Sequence, residues 1–203
     1  MDRFREALLP HADPARAASM AAYMRGRFAF LGVPTRERRQ ATLPLLRGYT
    51  ALDRRLVLDC FSQKEREFQY IACDHIRRTG ITDLSLALRL VRTKSWWDTV
   101  DALAKPIGAA GDRQEMMRWA ANGDFWVRRV AILHQLGRGA DTDLDLLSAI
   151  IRLNLGSGEF FVDKAIGWAL REVSRTHPMW VREFVSGTDL SPLSRREALR
   201  RLG

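Results

Sequence analysis

The sequence predicts an all-α fold of stacked helix pairs, and three observations carry that prediction. Helix-capping signals recur from end to end. No run of alternating apolar and polar residues makes a convincing strand, and aromatic residues return at a spacing close to one helix pair. The 203 residues suit a single domain over 1–203, large enough to bury a continuous core. With 46% hydrophobic and 28% charged residues, the composition is that of an ordinary globular protein.

Helices are expected over 2–9, 14–28, 35–46, 51–60, 63–79, 82–92, 95–104, 112–121, 125–137, 143–154, 159–173, 178–185 and 194–201. Asp13-Pro14 can cap and start the second, with Ala17, Ala18, Ala21, Ala22 and Met24 supplying its apolar face. Gly32-Val33-Pro34 interrupts the chain, and Thr35 can cap the third helix. Ser62 with Glu65 and Ser194 with Glu197 have capping-box spacing, and Ser95 with Asp98 is a weaker version. The stretch 106–112, opened by Pro106, reads as a connection. Gly139-Ala140-Asp141 and Gly156-Ser157-Gly158 read as breaks between later helices.

Phe68, Trp97, Trp126 and Phe161 open comparable helical stretches at separations of 29, 29 and 35 residues. Four positions on stand Ala72, Asp101, Val130 and Ala165, on the same helical face as the aromatic. Helix pairs repeated at this distance predict a HEAT-like repeat superhelix of antiparallel pairs with a concave face. The repeat is degenerate, and an irregular bundle is the alternative.

The formal net charge is +9, and 29 of the 33 basic residues are Arg; the lysines are Lys64, Lys94, Lys105 and Lys164. Such a balance favours a polyanionic partner, with a generally basic surface as the plainer reading. Cys60 and Cys73 lie in expected helices without metal spacing and read as small buried apolar residues. The four histidines are too scattered to suggest a metal site. No apolar run approaches bilayer length, and the N-terminus lacks the apolar core of a secretory signal, so no membrane partner is expected and a cytoplasmic location is.

The most informative segment is Ser95-Trp96-Trp97-Asp98-Thr99-Val100-Asp101. If helical, it sets Trp97 and Asp101 at i and i+4, and Asp101 interrupts an otherwise apolar stripe. The structural alternative makes Trp97 a core anchor and Asp101 an inter-helix ion-pair or capping residue. Arg128-Arg129 stands inside an apolar helix, with a structural salt bridge as the alternative for Arg129. Trp168 lies close to Arg171, with gap-filling between helices as its alternative. Tryptophan faces stabilise positive charge, and guanidiniums clamp phosphate. Arg36-Glu37-Arg38-Arg39 could contribute to binding, although solvated helix decoration is its simpler reading.

Taken together, segments 21–24, 30–39, 65–69, 93–101, 126–136, 160–168 and 191–198 resemble, in the same order, the DNA alkylation repair proteins of the HEAT-like alkylpurine DNA glycosylase family. The resemblance implies hydrolysis of the N-glycosidic bond of cationic alkylated purines, such as N7-methylguanine and N3-methyladenine, in duplex DNA. By position, it implies that Asp101 is the catalytic carboxylate, Trp97 and Trp168 the cleft tryptophans and Arg129 the cleft arginine holding phosphate. Arg128, Arg171, Arg195 and Arg196 are expected DNA contacts. Asp101 would stabilise the positive charge that develops on the sugar, and the charged base would leave without a strong general acid. No lysine is singled out for amine catalysis, so strand cleavage is not expected. No metal or organic cofactor is implied, and a monomer is expected. A catalytically inactive DNA-binding relative and a HEAT-like protein-interaction scaffold are the alternatives.

Overall fold

The computed structural model describes residues 1–202, and among them there are thirteen α-helices and no strand. They are α1 (Asp2–Leu8), α2 (Pro14–Tyr23), α3 (Thr35–Leu46), α4 (Arg54–Ser62), α5 (Arg66–Thr79), α6 (Leu84–Arg92), α7 (Trp97–Ala110), α8 (Arg113–Ala120), α9 (Phe125–Leu133), α10 (Leu144–Leu153), α11 (Phe160–Val173), α12 (Pro178–Ser186) and α13 (Pro192–Leu199). Short 3-10 turns at Leu9–His11 and Gly139–Asp141 fill two of the connections. The all-α, HEAT-like prediction holds. The chain divides into two compact units, Met1–Ile81 and Thr82–Gly203.

In the first unit α3 packs on α1 and α5, and α4 pairs with α5. The N-terminus of α2 forms as expected, because the Asp13 carboxylate accepts from the Ala15 and Arg16 amides while Pro14 occupies the first turn. The helix stops at Tyr23, short of the expected 28, and buries none of its residues; Met24, just beyond it, is buried instead. Its alanines therefore supply no core face. The turn that follows is held from below. Glu67 is fully buried, and its Oε1 accepts from the amides of Leu31, Gly32 and Val33 at 2.9–3.2 Å. Gly32 has φ +82°, and a Cβ there would sit 2.1 Å from the Asp13 carbonyl oxygen, so only glycine passes this point.

The second unit is two layers of helices. Helices α7, α9, α11 and α13 lie side by side, and α6, α8, α10 and α12 pack against that row. Close approach within the row requires glycine at two places. A Cβ on Gly108 would stand 2.5 Å from the His134 carbonyl oxygen, and one on Gly167 2.5 Å from the Glu197 Cβ. Asp83, Asp112, Asp124 and Asp143 cap α6, α8, α9 and α10 through their carboxylates.

Several local expectations are corrected. Helix α7 runs through Pro106 to Ala110, although 106–112 was expected to be a connection. Proline removes only the bond to the carbonyl of Ala102, an exposed residue with access to water, while Leu103, Ala104, Ile107 and Gly108 keep the helix on the core. The capping boxes do not form. Thr35 is the first residue of α3 after Pro34, Ser62 closes α4, and Ser95 donates to the Val91 carbonyl. Ser191 rather than Ser194 caps α13, accepting from the Ser194 amide. Cys60 and Cys73 are buried free thiols, as expected, and burial pushes Cys60 up to about 12.

Candidate active site

The aromatic repeat marks every second helix: Phe68 in α5, Trp97 in α7, Trp126 in α9 and Phe161 in α11. In the second unit the register is one residue off at α7. Trp96, 4% exposed in an extended N-cap conformation, lies 5.7 Å from Trp126 and 5.1 Å from Phe161 between ring centroids, and Trp126 lies 4.8 Å from Phe161. Counted from Trp96, the position four residues on is Val100, matching Val130 and Ala165, and all three are fully buried. Asp101 therefore falls just outside the apolar repeat. It enters the protein beside the core rather than in it.

What receives Asp101 is Arg129. The Arg129 Nε donates to Asp101 Oδ1 at 2.7 Å and Nη2 to Oδ2 at 2.8 Å, a bidentate pair joining α7 to α9. The Nη1 donates to the Phe161 carbonyl at 2.5 Å, extending the tie to α11. Three of the five guanidinium N–H groups are thus engaged inside the protein, and two remain. The exposures differ: 4% for the Arg129 side chain and 14% for that of Asp101. Asp101 is the more exposed member of the pair. Burial pushes the Asp101 pKa above the ordinary aspartate value, against the opposing hydrogen bonds and charge of Arg129.

Trp97 is half-buried, one helical turn before Asp101 on α7. Trp168 is half-buried on α11, two turns beyond Phe161 and so on the same side of that helix. Arg128 is half-buried in α9, and its Nε is buried without a partner. Arg171 pairs with Glu197 of α13, which also accepts from Lys164 at 2.7 Å. The Lys164 hydrogen bond is the main reason Glu197 sits below the usual glutamate range, with Arg171 contributing. Arg195 donates to the Thr188 carbonyl at 3.2 Å, and Arg196 is exposed.

The structure thus joins Asp101 and Arg129 directly and sets Trp97 beside them along α7. It places Arg171 in a separate cluster with Lys164 and Glu197. Three participants escaped the sequence reading. The Phe161 carbonyl carries no side-chain signal, and Glu197 looked like half of a capping box. Lys164 could have been found as a cation four residues before Trp168 on one helical face.

No helix among the described residues is long and apolar enough to cross a membrane. Comparison with known proteins gives a consistent picture. The family model of the DNA alkylation repair enzymes matches residues 4–202. A solved structure, described as a predicted DNA alkylation repair enzyme from Enterococcus faecalis, is 33% identical and superimposes with a TM-score of 0.87. That match covers 95% of this chain and 97% of the other. A search of curated proteins returned no match. With the model spanning nearly the whole chain, this protein belongs to the DNA alkylation repair enzyme family.

Proposed function

We propose that this protein is a monofunctional DNA glycosylase, acting as a monomer in the cytoplasm, that releases cationic alkylated purines such as N7-methylguanine and N3-methyladenine from duplex DNA. The observation that carries the reading is the Asp101–Arg129 pair, in which a buried guanidinium holds both oxygens of a carboxylate whose side chain is the more exposed of the two. A carboxylate so fixed needs no reorganisation when positive charge develops beside it.

The C1′–N9 bond breaks for N7-methylguanine, and C1′–N9 likewise for N3-methyladenine. Its electron pair leaves with the base and neutralises the base's positive charge. The sugar becomes oxocarbenium-like, stabilised by the Asp101 carboxylate and by the faces of Trp97 and Trp168. A water oxygen then bonds to C1′, and its proton passes to Asp101 or solvent, leaving an abasic hemiacetal. Neutral lesions lack the built-in leaving-group charge and are poor substrates. Any phosphate contact by Arg129 uses its two remaining N–H groups; Arg128, Arg171, Arg195 and Arg196 supply further cations.

The competing reading is a purely structural tie, favoured by the 4% exposure of Arg129 and its bridging of three helices. A single-turnover assay on duplex DNA containing one N7-methylguanine separates the two. Release of that base, with no release of a neutral mismatched guanine, supports the glycosylase. Absence of release from both N7-methylguanine and N3-methyladenine duplexes overturns it in favour of an inactive DNA-binding relative or a scaffold.

A further inference from the structure

Helix α13 docks on α11 where the sequence leaves α11 bare. A Cβ on Gly167 would meet the Glu197 Cβ at 2.5 Å and the Ser194 carbonyl oxygen at 2.9 Å. One turn earlier the Ser194 hydroxyl donates to the Asp163 carbonyl at 2.8 Å, so two points fix the crossing. From that crossing the Glu197 carboxylate reaches two cations of α11. Its Oε1 accepts from Lys164 at 2.7 Å, and its Oε2 accepts from Arg171. The Glu197 side chain is 9% exposed, against 38% for Lys164 and 22% for Arg171, so the acid is the innermost member of the cluster.

The two cations bracket Trp168. It stands four residues after Lys164 and three before Arg171, the spacings at which helical side chains are neighbours. At about 100° per residue, Lys164 and Arg171 lie about 20° apart around α11. Gly167 falls about 40° beyond Arg171 on one side, and Trp168 about 40° beyond Lys164 on the other. The cations therefore form a ridge between the α13 contact and the half-buried indole, one turn to either end of it. Free lysine and arginine stems sample many rotamers, and one buried carboxylate shared between them restricts both. Glu197 also lowers the charge of the ridge from two positive charges to a net of one. Two uncompensated cations there would oppose positive charge developing on a sugar beside Trp168.

We infer that Glu197 is a positioning residue for Trp168: it holds Lys164 and Arg171 as a fixed ridge that sets the orientation of the indole. Glu197 acts through the two cations and touches neither DNA nor the reacting atoms. The use of that orientation, facing the sugar, rests on the glycosylase reading. The orientation itself does not, and it is measurable without substrate.

The test uses the full chain labelled with fluorotryptophan and read by fluorine NMR. Of its six tryptophan resonances, that of Trp168 is the one lost in Trp168→Phe. Glu197→Gln keeps the side-chain volume against Gly167 and releases both cations. It should shift or broaden the Trp168 resonance in the absence of DNA and leave the other five in place. Single-turnover release of N7-methylguanine at saturating duplex should slow by about tenfold. Affinity for undamaged duplex should stay native or tighten, because a negative charge has been removed. Lys164→Gln leaves the Arg171–Glu197 pair and the helix contact intact and should give the same selective shift at smaller amplitude, which keeps the inference testable if Glu197→Gln does not fold. A Trp168 resonance unmoved in Lys164→Gln, all six resonances moving together, or a native release rate in Glu197→Gln would each overturn the positioning role. A selective Trp168 shift in a protein whose native form releases no base would instead overturn the glycosylase reading and leave the positioning standing.

Discussion

Each unit holds an aspartate gripped by arginine, buried in the first and half-buried in the second, and the two arrangements differ in stoichiometry. Asp74 in the first unit has three guanidiniums and is 4% exposed; Asp101 in the second has one and is 14% exposed. Asp74 is sealed, and its surplus positive charge faces outward. Asp101 is compensated once, and its side chain is partly exposed while burial raises its pKa. The same pair of residue types therefore presents opposite charges to a ligand. The first arrangement suits a phosphate, and the second suits a cation developing on a sugar.

The largest expected effect tests the single compensation. Arg129→Ala leaves Asp101 largely buried without its counter-ion and also frees the Phe161 carbonyl, so unfolding stability should fall by roughly 4 kcal/mol. Denaturant melts would show it. A loss below about 1 kcal/mol would mean that the pair is solvated and that the contrast with Asp74 is false.

A second effect concerns the close contact between α7 and α9, where His134 lies opposite Gly108. His134 is buried, with Nδ1 against the Ala131 carbonyl at 2.6 Å, and burial lowers its pKa from 6.5 to about 4. Between those values the unfolded chain binds the extra proton. The contribution is therefore complete above pH 6.5 and is lost as pH falls to about 4, amounting to roughly 3 kcal/mol. Thermal unfolding followed from pH 7 to pH 4 should show this loss, and His134→Gln should show a flatter profile. Identical profiles would remove the histidine from the account.

Asp101→Asn keeps the volume and removes the charge. Base release from an N7-methylguanine duplex should slow by about 100-fold or more, while affinity for undamaged duplex stays within about twofold. Full activity in this variant would reject the assigned role. Because the substitution also leaves the buried Arg129 without its counter-ion, stability should fall as well, and the rate is read at a temperature where the variant's melt shows it folded, so that the lost rate is chemical.

The smallest effect is expected at the triply compensated site. Arg38→Ala leaves Asp74 with Arg39 and Arg77, so the cost should be roughly 1–2 kcal/mol, reflecting lost packing and one hydrogen bond. If Arg38→Ala destabilises the protein as much as Arg129→Ala, the other two guanidiniums do not compensate Asp74, and the surplus-charge argument fails with it.

Helix content, helix number and the recurrence of an aromatic on every second helix were all legible in the sequence. Each depends on local spacing and capping that a linear reading can follow. Helix ends were less legible. Ser62, Ser95 and Ser194 stood at plausible capping positions, but caps depend on where the chain turns, and packing decided that. Pro106 misled for the same reason, since the buried face of α7 outweighs one missing hydrogen bond.

At the candidate site, the sequence determined the residue types and their periodicity: a carboxylate one turn after Trp97, and arginine in an apolar stretch of α9. Only the tertiary structure decided that Trp96, rather than Trp97, joins the aromatic cluster with Trp126 and Phe161, and that Asp101 and Arg129 meet across 28 residues. It also sorted Arg36-Glu37-Arg38-Arg39 into a buried Arg38 and a partly exposed Arg39 on the same Asp74 carboxylate, and an exposed Arg36. The physical reason is that periodicity specifies the side of a helix on which a charge lies, whereas the net charge it presents depends on how many counter-charges the neighbouring helices bring to it.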